Sequence, residues 1–385
     1  MSSAPLSVTV THDPAEMIAL QGEWKDLQER CSYNVLFMTW EWVTAWWEHF
    51  GAQGQLWLLQ ARDRDGRLMG LAPLWLREHS LMRGLRWRQL EFIGATLDVD
   101  HLGFVIERGQ ERAVATAFLR TLRGMRQRWD VLHLSSIPED SPNLQALREC
   151  DAPWKEQIDY TCPYIELPTD FETYLTEMLG ARKRKHFRRY ERKIQAAYPE
   201  PVTYRHVVEP DEIDSTLADL VALHQPRWEE KGHRGAFGDP AISAFFHDAA
   251  RRFAPQGWVR LYRLDINGQV ATVDYVFWYG GRAYAFVGSY NDAFAELSPG
   301  QVVIGYMIEA AIAEGIREYD FMRGTEEYKY HWAARDRHEY TLRWLASPGA
   351  RLQQTIYSTL QALWQGVKLL LPRRLRGRFL DITRS

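Results

Sequence analysis

Two stretches of the chain carry the same order of apolar and polar positions. Residues 56–60, the turn 62–66 and residues 68–76 predict strand, turn, strand. Residues 259–264, the turn 265–268 and residues 269–278 predict the same, and each turn holds the glycine that a tight hairpin prefers. A further strand follows at 282–290. Each copy then continues into a run with helical period, 110–128 in the first and 301–314 in the second. Each run leads to a short buried strand near an aspartate, Asp130 or Asp320. Strands followed by helices and a further strand predict an α/β chain, and the duplication predicts two similar units rather than one large sheet. Accessory helices are expected at 14–30, 39–50, 171–197, 211–231 and 241–253. The expected domains are 1–165 and 166–348, with 153–167 as the crossover and 349–385 as a C-terminal helix and basic tail.

Composition narrows this picture. A chain of 385 residues exceeds the usual single core, which agrees with two domains. Hydrophobic residues make up 46% and charged residues 25%, as in an ordinary globular protein, and the 16 Trp are read as large aromatic cores. A net charge of −3 gives no global attraction to nucleic acid, so local patches decide. Cys31, Cys150 and Cys162 lack C-x-x-C spacing, which argues against a disulfide framework or a zinc site; no metal is expected. The N-terminus lacks a signal-peptide pattern and no apolar run nears the ~20 residues of a spanning helix, so a cytoplasmic location is expected. In the tail, Leu360, Leu363, Trp364, Val367 and Leu371 form one apolar stripe ahead of a basic segment, a pattern suited to peripheral contact with an anionic membrane.

Candidate chemistry gathers in the second half. Ser298, Pro299, Gly300 and Gln301 form a loop that opens a helix, whose free N–H groups and partial positive charge suit an anion. Asp274 lies mid-strand between Val273 and Tyr275, where a carboxylate must be paired, solvated in a cleft or protonated. His224 ends an apolar stripe just before Pro226, and its near-neutral titration suits proton transfer. Tyr328 and Lys329 follow Gly324; a phenol can protonate a leaving thiolate and an ammonium can hold phosphate. Glu326 is a weaker candidate base. Eight Arg/Lys lie between Arg182 and Lys193, and on a helix Arg182, Lys185, Arg189, Arg192 and Lys193 would form a stripe with Phe187 and Ile194 facing inward. Such a stripe suits phosphates.

The strand order with the 298–332 segment resembles the core of a GNAT (N-acetyltransferase-like) domain. The chain also carries, in order, Phe37, Trp40, Trp46, Phe50-Gly51, Asp65-Gly66, Gly70 to Leu74, Phe92-Ile93-Gly94, Asp98, Asp100, Ile137-Pro138, Ser141-Pro142, the basic run, His224, Arg227-Trp228, Ser298-Pro299-Gly300, Gly324, Tyr328-Lys329 and Trp332. This set is similar to the cellulose-biosynthesis-type acetyltransferases, related to the Fem peptidyl transferases. The resemblance implies two tandem GNAT-like domains, each a mixed twisted sheet flanked by helices. It also implies acyl transfer from acyl-CoA, acetyl-CoA first, to a small-molecule, glycan or lipid-linked acceptor of the cell envelope or an exopolysaccharide. It implies Asp274, Tyr328 and His224 as catalytic groups, and Ser298, Gly300, Gln301, Lys329, Arg189 and Arg192 as donor-binding groups. The segment Ser298 to Gln301 is a shortened form of the common GNAT donor loop, so an acyl carrier or an aminoacyl-tRNA stands beside acyl-CoA as donor. Two rivals follow, a Fem-like aminoacyltransferase that uses tRNA and a non-catalytic partner of a polysaccharide synthase.

Overall fold

The computed structural model describes residues 6–82, 85–97, 99–198, 202–207, 209–230, 232 and 235–346. The described residues divide into two compact units, those up to 160 with those from 338 on, and those of 161–337.

The first unit contains β1 (Ser7–Thr11), α1 (Pro14–Ala19), α2 (Gln21–Arg30), α3 (Trp40–Phe50), β2 (Gln55–Arg62), β3 (Leu68–Met82) and β4 (Leu85–Phe92). It continues through β5 (Val105–Ile106), α4 (Glu111–Gly124), β6 (Val131–Pro138), α5 (Pro142–Arg148) and β7 (Lys155–Thr161). The sheet runs β1-β2-β3-β4-β6, with β5 on β3. Local signals start the helices. Asp13 caps α1, Thr39 caps α3 and Ser141 caps α5, each accepting from a backbone N–H of the first turn. Six tryptophans of this unit, Trp24, Trp42, Trp46, Trp57, Trp75 and Trp129, are fully buried, whereas Trp40, Trp47 and Trp154 are half-buried. Gly70 lets α4 approach β3, because a Cβ there would lie 2.4 Å from Val114 Cγ1.

The second unit contains β8 (Tyr164–Glu166), α6 (Phe171–Thr173), α7 (Ala181–Ala197), β9 (Val202–Val207), α8 (Pro210–Glu230) and α9 (Pro240–Phe253). Then come β10 (Val259–Ile266), β11 (Gln269–Tyr279), β12 (Arg282–Tyr290), α10 (Pro299–Ala313), β13 (Glu318–Asp320) and α11 (Glu327–Tyr330). Its sheet runs β8-β13-β12-β11-β10-β9. The Asn267-Gly268 hairpin forms as its sequence predicts, with both residues left-handed (φ 52° and 72°) and Ile266 facing Gln269.

The duplication is visible in the register. β2-β3-β4 and β10-β11-β12 are antiparallel meanders, and in each unit the next strand, β6 or β13, lies parallel to the third. The last strands are exchanged. β14 (His338–Leu345), expected in the second domain, pairs antiparallel with β6 and completes the first sheet, with β7 beyond it. β8, which follows the first half, pairs with β13 in the second sheet. The units therefore break at 160/161 and 337/338 rather than at 165 and 348. The single helix expected over 171–197 is interrupted: a π-helical turn spans Tyr174–Met178, Gly180 turns left-handed (φ 80°), and α7 starts afresh. The tail stripe at 360–371 lies outside the described residues.

Candidate functional site

In the second unit β12 and β13 pair only over Arg282–Tyr284 and Glu318–Asp320. β13 then stops, while β12 runs on to Tyr290. The two strands therefore part, and one edge of β12 is left without a parallel neighbour. A bulge between Tyr275 and Val276 bends the β11–β12 pair in the same region. In the first unit β4 pairs with β6 over Gln89–Glu91 and ends at Phe92, so no comparable opening exists between those strands.

Asp274 stands beside this opening. Its cross-strand partners are Tyr262 and Gly288. The glycine makes room for the carboxylate, since a Cβ at 288 would lie 1.9 Å from Asp274 Oδ1. The Thr272 hydroxyl is placed to donate to Asp274 Oδ2 at 3.0 Å, or to the Ser289 carbonyl at 2.8 Å. No cation stands beside Asp274 among the described residues. Burial pushes its carboxyl up to about 7, opposed only by the Thr272 hydrogen bond. Its charge is felt by the hydroxyls of Tyr204, Tyr319 and Tyr328. Tyr328 is 40% exposed, yet its phenol is pushed well above the usual range, first by burial and then by Glu326 and Asp274. Asp274 and Tyr328 thus share one electrostatic neighbourhood. Tyr204 is an addition. It stacks on Tyr262 (5.8 Å) and lies 4.7 Å from Tyr306, with its hydroxyl buried and without a hydrogen-bond partner.

His224 is elsewhere. Side chains alternate across a strand, so Asp274 and Tyr262 share a face, and Tyr262 packs in the cluster that includes Val303, Met307 and Phe187 of α10 and α7. Val273 and Tyr275 point the other way, where the Tyr275 hydroxyl donates to the Phe246 carbonyl of α9 and Ser289 Oγ donates to the Leu223 carbonyl of α8. His224 belongs to this second face, buried against Trp228 and Phe237. The sheet therefore separates it from Asp274. α8 runs through Pro226 to Glu230, close to the expected 211–231.

The start of α10 has the properties of an anion site. Ser298 is left-handed (φ 53°), no side chain caps the helix, and its first turn holds no acidic residue. Space around Gly300 is open, with no atom within 4 Å of a Cβ placed there. The corresponding helix α4 instead carries Glu111 in its first turn, held by Ser32 Oγ at 2.6 Å. α7 packs against α10 where Gly305 admits the Phe187 ring. Farther along α7, Lys193 Nζ donates to the Glu296 carbonyl, just before the α10 start. Arg189, Tyr190, Arg192 and Lys193 line a concavity of about 490 Å³ there. Phe187 and Ile194 are buried and the five expected stripe residues are exposed.

Lys329 does not offer its charge to a ligand. It is 3% exposed, and its ammonium donates to the carbonyls of Met322 (3.1 Å), Arg323 (2.8 Å) and Gly324 (3.0 Å), with Glu326 Oε2 at 2.9 Å. These acceptors use all its protons. Its role is to hold the loop after β13, which bends through left-handed Met322 and Gly324 (φ 56° and 107°) and carries Tyr328 on α11. Among the described residues no group of His, Cys, Asp and Glu side chains is placed to hold a metal, and no helix is long and apolar enough to cross a membrane.

Residues 181–330 match the sequence profile of the family described as an acetyltransferase (GNAT) domain. No curated protein matches the chain. Solved structures share the fold at low identity. FemX is similar at 12% identity and a TM-score of 0.61, covering 88% of this chain and 98% of FemX. A conserved protein of unknown function from Bacteroides thetaiotaomicron gives 12% and 0.56, covering 88% and 100%. L-PGS from Bacillus licheniformis gives 12% and 0.51, covering 86% and 92%. The match identifies residues 181–330 as a GNAT-type acetyltransferase domain, which makes the protein an acyltransferase, and the duplicated meander with its parallel next strand gives both units a GNAT-like fold.

Proposed function

We propose that the second unit transfers an acyl group from acyl-CoA, acetyl-CoA being the simplest donor, to an amine or hydroxyl of a cell-envelope or exopolysaccharide precursor. The donor diphosphate lies on the N–H groups of Gly300 and Gln301, with Ser298 shaping the turn and Arg189 and Arg192 adding positive charge. The thioester carbonyl sits where β12 and β13 part. Asp274 takes the proton from the acceptor nitrogen or oxygen as the new bond to the carbonyl carbon forms. The carbon–sulfur bond then breaks, the Tyr328 hydroxyl gives its proton to the leaving thiolate, and Tyr328 is reprotonated from solvent while Asp274 releases to solvent the proton it took. The observation that carries this reading is the Asp274 carboxyl, which titrates near neutrality with no cation beside it and lies next to the opening. Isothermal calorimetry with acetyl-CoA tests it. Micromolar binding that is lost in Gly300→Asp supports the site, and absence of binding to the folded wild type refutes it.

A second reading is favoured by one observation, the exposed cations of α7. They fit an aminoacyl-tRNA donor, as the resemblance to Fem proteins also implies. Filter retention of charged tRNA without acetyl-CoA binding would establish it over the first.

A further inference from the structure

The cations of α7 form two ladders with a spacing of four: Arg184, Arg188 and Arg192, and Lys185, Arg189 and Lys193. Residues four apart on a helix are neighbours, and like charges there repel. Arg189, Arg192 and Lys193 line the concavity beside the α10 start and belong to the donor site proposed above. Arg184, Lys185 and Arg188 do not. With Arg192 at the shared edge they line a second concavity of about 420 Å³, together with Leu175, Ala181 and Glu172. Its volume falls within the range of small-molecule sites. Among the described residues Arg184, Lys185 and Arg192 form no ion pair, while Arg188 pairs with Glu191 at 3.1 Å and is also felt by Glu309. In a chain of net charge −3, this cluster keeps repelling cations together around a hollow.

We propose that this concavity binds a diphosphate group and that it is the anchoring site for a diphosphate-bearing acceptor. Successive rungs of the ladder rise about 6 Å along the helix axis, a span that lets two guanidinium groups hold the two phosphoryl groups bidentately. The site itself stands without the acyl-transfer reading; its assignment to the acceptor rests on that reading.

Calorimetry with inorganic pyrophosphate, in saturating coenzyme A, tests the site with no turnover. Wild type binds pyrophosphate under these conditions, and Arg184→Glu with Arg188→Glu weakens it about tenfold or more while coenzyme A affinity holds, as expected for charge-assisted contacts removed from a site that shares only Arg192 with the donor concavity. A second variant protects against misfolding. Arg188→Gln relieves the ladder, so the free protein melts at a higher temperature than wild type while the rise induced by pyrophosphate shrinks. Two probes separate the sources of the group. Binding of GDP marks a soluble nucleotide-linked acceptor, and retention by vesicles doped with a polyprenyl diphosphate marks a lipid-linked one. Pyrophosphate binding that is absent, displaced by coenzyme A or indifferent to the double reversal overturns the proposal. Failure of acetyl-CoA to bind a protein that still takes pyrophosphate removes the donor reading alone.

Discussion

Asp274→Asn separates catalysis from stability, because the two move in opposite directions. The asparagine keeps the shape and can still accept from Thr272, but it carries no charge. In the folded protein the carboxyl titrates at about 7, against 3.8 as the ordinary value. The folded state thus holds the proton more tightly than the unfolded chain. The associated stability is fully present below about pH 4 and is lost as pH rises through 7. A shift of about three units, at ~1.36 kcal/mol each, sets an upper bound of about 4 kcal/mol on the cost of the charge at pH 8. The variant escapes this cost. It should match wild type near pH 4 and exceed it at pH 8, where each kcal/mol is worth about 2–4 °C in a domain of this size. Its turnover should fall ~10²-fold or more, and wild-type kcat/KM should rise through pH ~7 while the residual rate of the variant does not. Calorimetric melting at both pH values, with a thiol-release assay on the same samples, gives both readings. A variant that is less stable at pH 8 and turns over almost normally would make Asp274 a structural carboxylate and refute the assignment.

Three further outcomes follow. Gly288→Ala sets a Cβ against the Asp274 carboxylate; turnover should drop as in the asparagine variant, with about 1–3 kcal/mol of stability lost in a urea titration. Gly300→Asp meets open space, so melting should stay unchanged while coenzyme A affinity falls by roughly 1–3 kcal/mol. Lys329→Met strips the ammonium from three carbonyls; stability should fall by about 3–5 kcal/mol, and coenzyme A affinity of the folded fraction should hold, which a phosphate-binding lysine would not allow.

Much of the site was legible because it depends on local pattern. The Asn267-Gly268 turn, the two inward residues of α7 and the odd placement of a carboxylate inside an apolar strand all follow from a few adjacent residues. What was missed depends on register and on loop closure. That Asp274 and His224 lie on opposite faces requires the β11–β12 pairing and the docking of α8, neither of which is written locally. Lys329 reads as a surface cation until Met322 and Gly324 turn left-handed and aim three carbonyls at it. Tyr204 sits on an edge strand whose Thr203, Arg205 and His206 disguise it as loop. The three residues of β8 give too short a signal to reveal which sheet they enter.

The exchanged strands bear on how the protein is made. Arg343 of β14 meets His133 of β6 across 210 residues of chain. A ribosome adding about 5–20 residues per second needs roughly 10–40 s to cover that interval. Through it the nascent first sheet presents the edge of β6, apolar at Leu132 and Leu134, with its final partner not yet synthesised. The strand that emerges soonest, β8, is destined for the other sheet and would have to be kept from taking the vacant place. Splitting the gene at the midpoint would leave each product holding the other's closing strand, so neither could complete its sheet alone.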